Sequence, residues 1–158
     1  MSAALPPSAD TELGYAPPTV RQFSVFLNNK VGKLLELLRT FDEAPSTRLG
    51  AFSIVDSSDY AVVRMIFTNA DAARHILRRS QYTFAETDVI IVELGEHQGL
   101  SATCLHLLGA ELNIRFAYPI LLRGEYPAVA ICVDDNHLAG QILLRKRFRL
   151  LAEEDLAP

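Results

Sequence analysis

The chain has 158 residues, 49% of them hydrophobic and 22% charged, with a formal net charge of −4. This length holds one ordinary domain or two very small ones, and the composition is that of a globular protein. The acidic balance argues against a dedicated nucleic-acid binder, which presents a basic field to phosphate. No apolar run approaches the roughly 18 residues that span a bilayer.

Residues 1–20 hold four of the eight prolines, no basic residue and no long apolar block, so they read as a disordered or extended tail rather than a secretory leader. "QFSVFL" then alternates as a half-buried strand does. After Gly32, "GKLLELLRTF" spaces Leu34, Leu37, Leu38 and Phe41 along one face of a helix. "RLGAFSIV" and "YAVVRMIF" flank "DSSD" as a hairpin. Within the second of these strands Val63, Met65 and Phe67 should face the helices, and Val62, Arg64 and Ile66 should face away. "ADAARHILRRS" is a helix with Asn69 and Asp71 suited to its start and Arg78 and Arg79 to its negative end. "YTFAET" is a short strand and runs without a linker into "VIIVEL". The remaining elements are "GLSATCLHLLG", "NIRFAYPILL", "YPAVAICVD", "NHLAGQILLRK" and "FRLLAEE".

These elements repeat. A shift of 66 positions sets Ile54 on Ile120, Tyr60 on Tyr126, Val63 on Val129, Ile76 on Ile142 and Arg79 on Arg145. The register holds without a gap from Leu34 to Phe84, and Gly32 meets Gly99 one position later. So long a register is a duplication. The order β-α-β-β-α-β, twice, is the ferredoxin-like plan. The expected fold is α+β: two ferredoxin-like units with antiparallel sheets and helices on one face. The first unit should cover residues 21–88 and the second 89–158. Each is marginal alone, because so small a domain buries too little surface. The helix-free faces carry Val62 and Ile66 in one unit and Ala128 and Cys132 in the other. Such faces need covering, by the other unit or by a second chain, and a homodimer is expected.

Chemistry-bearing residues are sparse. Cys104 and Cys132 lie in apolar runs and read as buried free thiols; without a disulfide framework the cytoplasm is the expected compartment. His97, Cys104 and His106 do not converge as zinc ligands do, so no metal is expected. His75 and His137 fall on helix surfaces. An RNA-binding sheet of this topology stacks bases on aromatic residues, where these strands are aliphatic. Ser53, Ser57 and Ser58 have no histidine placed beside them, and Glu86 with Asp88 sits at a strand junction. The expectation is no enzyme, no cofactor, no nucleic acid and no membrane.

The two glycine turns remain. A glycine after a strand permits either a tight connection alone or close backbone approach of a ligand. The helix start beyond it offers unpaired N–H groups to a carboxylate. From the residues, both readings stand.

With "VFLNNKVGKL", "IVDSSDYAVVRMIF", "TFAETDVIIVEL" and "VDDNHLAGQILL" in place, the chain resembles a pair of ACT domains, small-molecule regulatory modules that most often bind amino acids. The resemblance covers about residues 21–156 and is nearest to stand-alone proteins made of two such domains. The family's turn reads asparagine or aspartate, any residue, proline, glycine, any residue, leucine. Here it is Asn29, Lys30, Val31, Gly32, Lys33, Leu34, and in the second unit Glu96, His97, Gln98, Gly99, Leu100, without the proline and one residue shorter. The resemblance implies an amino-acid-sensing regulatory protein. Its ligand would sit where a turn of one unit faces "GAFSIV" or "RFAYPI" of its neighbour. The site residues implied are Asn29, Lys30, Val31, Gly32 and Leu34 with Ser53 and Asp59, and His97, Gln98, Gly99 and Leu100 in the second unit. The alternative is a subunit without ligand that modulates an amino-acid biosynthetic enzyme.

Overall fold

The computed structural model describes residues 16–28, 31–57, 59–122 and 124–157. The first unit comprises β1 (Val20–Asn28), α1 (Lys33–Asp42), β2 (Leu49–Asp56), β3 (Tyr60–Phe67) and α2 (Ala70–Arg79). Strand β4 (Thr83–Glu93) follows and belongs to both units. The second unit adds α3 (Leu100–Gly109), β5 (Ile114–Pro119), β6 (Ala128–Val133), α4 (Asn136–Arg145), β7 (Leu150–Leu151) and a closing 3-10 turn (Glu153–Leu156). The fold is α+β with two ferredoxin-like units, as the repeat requires.

The strands form one antiparallel sheet in the order β2-β3-β1-β4-β6-β5, with β7 also pairing with β4. The first part of β4 pairs with β1, from Val20↔Val89 to Phe26↔Thr83. Its last part pairs with β6, from Ile90↔Ile131 to Glu93↔Ala128. The linkerless junction in the sequence is thus one continuous strand.

Two-residue alternation along the strands sorts the side chains into three cores. Phe23, Val25, Val63, Met65 and Phe67 pack under α1 and α2 with Leu37, Phe41, Ala73 and Leu77. Ile90, Val92, Val129, Ile131 and Val133 pack under α3 and α4 with Leu107, Ala139 and Leu143. The opposite faces meet each other: Val20, Ala51 and Ile66 of the first half close on Val89, Tyr118, Ala130, Cys132, Leu151 and Leu156 of the second. The sheet therefore curls, and its two edge strands approach. The Leu121 N–H donates to the Gly50 carbonyl at 2.7 Å. Gly50 is buried there, and a Cβ on it would lie 3.4 Å from both the Ile66 carbonyl oxygen and Leu122 Cδ1.

Internal packing changes the basis of the dimer expectation. Ile66 and Cys132 are buried and Ala128 is half-buried within one chain, while Val62 stays partly exposed. Cys132 is the buried thiol expected of it; Cys104 is not, being exposed on α3. The cause is visible in the helix itself, where apolar residues surround the axis and only Thr103 and Leu107 are buried.

Ion pairs fasten the first unit's helix α2 to β4. Arg74 Nε and Nη2 reach the two oxygens of Glu86 at 2.7 and 2.8 Å, and Nη1 reaches Asp71 at 2.8 Å. Arg21 adds 3.4 Å contacts to Glu86 and Asp88. The Arg74 guanidinium holds the Glu86 carboxyl below its ordinary value of 4.5, against the opposing effect of burial.

Candidate functional site

The helix starts divide into two kinds. Asn69 caps α2 by accepting from Ala72 N–H at 3.1 Å, and Asp135 caps α4 by accepting from Leu138 N–H at 3.0 Å. Helices α1 and α3 begin at Gly32 and Gly99 with no side-chain cap. Their first-turn N–H groups have no capping side chain, the state in which a helix terminus receives an anion.

The two glycines are not conformational equivalents. Gly32 has φ +89°, and Gly99 has φ −82° with ψ −171°, ordinary extended backbone. In the second turn the left-handed position has moved to His97, at φ +65°. The shorter second turn therefore bends two residues before its glycine. Val31 and Gly32 are exposed, and Leu34 is half-buried against the first core. Leu100 and Gly99 are exposed. Gln98 points away from any ligand: its amide nitrogen donates to the Lys146 and Arg147 carbonyls at 3.3 and 3.1 Å, finishing the end of α4. Asn29 and Lys30 lie outside the described residues.

Asp59 is next to Tyr60, which pairs with Asn28, so the β2–β3 hairpin tip sits beside the first turn. Ser53 is elsewhere. It pairs with Arg64, which pairs with Ser24, four residues back from Asn28 and roughly 13 Å along the strand. The edge seam at Gly50 is farther still from the first turn, so within one chain that turn does not meet "RFAYPI". The two turns also lie at opposite ends of β4, roughly 35 Å apart.

Two clusters escape sequence reasoning because they assemble across the units. In the first, the Tyr118 hydroxyl donates to Gln22 Oε1 at 2.6 Å, and Gln22 Nε2 donates to Ser24 Oγ at 3.2 Å. Arg64 lies over the Phe116 ring at 3.9 Å. Burial pushes the Tyr118 hydroxyl well above its ordinary value, so it stays a neutral donor. The second is a cavity of about 290 Å³ at the seam, lined by Arg48 of the first unit and by Glu93, Ile120, Leu122, Glu125, Tyr126 and Arg149 among others of the second. Its only trace in the sequence is a set of charges flanking apolar strands, which alone reads as solvated surface.

The described residues include no group of three or more His, Cys, Asp or Glu able to hold a metal ion. No helix among them is long and apolar enough to cross a membrane.

The family described as an ACT domain pair matches residues 18–158. The chain belongs to that family. The architecture above is the tandem form of that domain. Among solved structures, protein BT0572 from Bacteroides thetaiotaomicron is 24% identical, with a TM-score of 0.78 over 89% of this chain and 96% of that one. The ligand-free regulatory subunit of aspartate kinase from Thermus thermophilus is 9% identical, with a TM-score of 0.51 over 82% of this chain and 93% of that one. Both likenesses are of fold. No curated protein matches the chain in sequence.

Proposed function

We propose that this ACT domain pair is a cytoplasmic sensor that binds an amino acid and reports it to a partner by a change in the packing of its units. The observation that carries the reading is the contrast among helix starts. The duplication keeps a side-chain cap on α2 and α4 and leaves the starts of α1 and α3 open behind exposed glycines. A ligand carboxylate would complete those starts, with Val31, Gly32 and Leu34 around it in the first unit and Asp59 beside them; Asn29 and Lys30, which precede them in the sequence, belong to the same proposal. The first turn is favoured over the second, because Gln98 is already engaged by α4. Within one chain Ser53 lies roughly 13 Å along the sheet from this turn. The units divide near residue 88, within a strand they share. Ligand preferring one packing of the two would shift the population towards it.

A homodimer is part of the proposal, on a surface other than the sheet faces. Leu100, Leu105 and Leu108 of α3 are exposed together with Cys104, an apolar helix face of the kind that associates. The second reading is a subunit that regulates a biosynthetic enzyme without ligand; the altered second turn favours it.

A thermal-shift screen of the twenty amino acids separates the readings. A ligand in hundredfold excess over its Kd stabilises by about 2.7 kcal/mol, an easily resolved shift. No shift with any of them leaves the subunit reading.

A further inference from the structure

We infer that the cavity at the seam between the two units is a binding site for a zwitterionic amino acid with an aliphatic side chain, distinct from the glycine turns. The inference rests on the sensor reading and deepens it.

The cavity is formed where β2 begins and β5 ends, lined by Arg48 from the one and by Ile120 and Leu122 after the other. Its volume of about 290 Å³ is at the small end of ligand pockets, suited to a ligand the size of one amino acid. The floor is the inter-unit core: Ile120, Leu122, Leu151 and Leu156 present aliphatic surface.

The rim carries both signs of charge. Arg149 is already engaged, with Glu93 at 3.3 Å and Asp155 at 3.5 Å. Asp155 also accepts from the Ala152 N–H at 2.8 Å. One cation and one anion are then left over. Among the described residues neither Arg48 nor Glu125 has a counter-ion within 4.0 Å. Arg48 precedes β2 of the first unit, and Glu125 lies in the β5–β6 connection of the second. A ligand carboxylate pairs with Arg48, in the two-pronged geometry a guanidinium offers. Its ammonium goes to Glu125, and its side chain goes to the aliphatic floor. Such a ligand contacts both units at once. Its binding free energy is therefore tied directly to their relative packing.

Calorimetry with leucine, isoleucine, valine and methionine, on the wild-type chain and on Arg48→Ala and Glu125→Gln, tests this. Both side chains are exposed and have no ionic partner among the described residues, so both variants should fold as the wild type does. The expected result is binding of at least one of the four to wild type, weakened tenfold or more in each variant. Leucinamide, which lacks the carboxylate, should bind worse than leucine to wild type and equally to Arg48→Ala. Wild-type binding that both variants retain overturns the seam site and leaves the sensor reading standing, with its ligand at the turns. If none of the four binds while another of the twenty amino acids does, the aliphatic assignment falls and the sensor reading survives. Silence from all twenty removes both.

Discussion

Gly32 and Gly99 occupy matched places in the repeat and obey different rules. At φ +89° a side chain is strained whatever space surrounds it, and nothing lies within 4 Å of the position a Cβ would take at Gly32. Gly32→Ala should thus lower stability by about 1 kcal/mol or somewhat more, through the backbone alone. Gly99 begins an uncapped helix with extended backbone, also with nothing within 4 Å. Gly99→Ser should supply the missing cap and be neutral to stabilising, by up to a few tenths of a kcal/mol. Urea melts of the two variants should move in opposite directions or leave Gly99→Ser in place; a stable Gly32→Ala would contradict the left-handed turn. Glu86 makes a second prediction at this scale. Its carboxyl titrates below 4.5 in the folded chain because Arg74 holds it, so its contribution is complete above the ordinary value and fades as pH falls through the folded one. Glu86→Gln should cost about 1–2 kcal/mol at neutral pH. The difference from wild type should narrow in acid, and a gap that persists unchanged to pH 2 would assign the loss to packing instead.

Elements that fold on local pattern were legible; elements that serve the other unit were not. Alternation placed β1 and β3, and Val63, Met65 and Phe67 lie under the helices as their parity demands. Asn69 caps α2 as its position suggests. Helix α3 misled because an apolar run of this length does not say which side is buried, and Cys104 falls on the side that is not. The turn Glu153–Leu156 was legible only as the end of a strand. Its task is to clasp the first unit: Glu153 Oε1 accepts from the Ala70 N–H at 3.1 Å, at the start of α2, and Leu156 is buried in the inter-unit core. These contacts join residues some 83 positions apart, and nothing in a local window encodes them. Leu156→Ala should therefore destabilise the whole chain by about 2–4 kcal/mol, as buried leucines do, although it lies two residues from the end. A loss under half a kcal/mol in chemical denaturation would mean the turn is merely resting on the surface.

At the scale of the molecule, β4 decides how the two units relate. Residues 83–89 pair with β1 and residues 90–93 with β6, so neither unit has a complete sheet without it. The inter-unit core adds a second bond between them. Val20, Ala51 and Ile66 are buried against Val89, Tyr118, Ala130, Cys132 and Leu151 of the other half. A fragment of residues 16–88 would keep its helix-side core and lose that cover. Exposing an apolar face on a domain of such small size removes a large share of what offsets chain entropy. The fragment should be unfolded or aggregated, and the full chain should melt in one cooperative transition at a calorimetric enthalpy equal to the van't Hoff value. Two resolved transitions, or a soluble folded fragment with dispersed amide resonances, would show that the shared strand and the middle core contribute little. Single-transition behaviour also bears on sensing. If the units cannot unfold separately, a ligand at the seam or at either turn acts on one equilibrium, and its effect reaches both halves without a separate path between them.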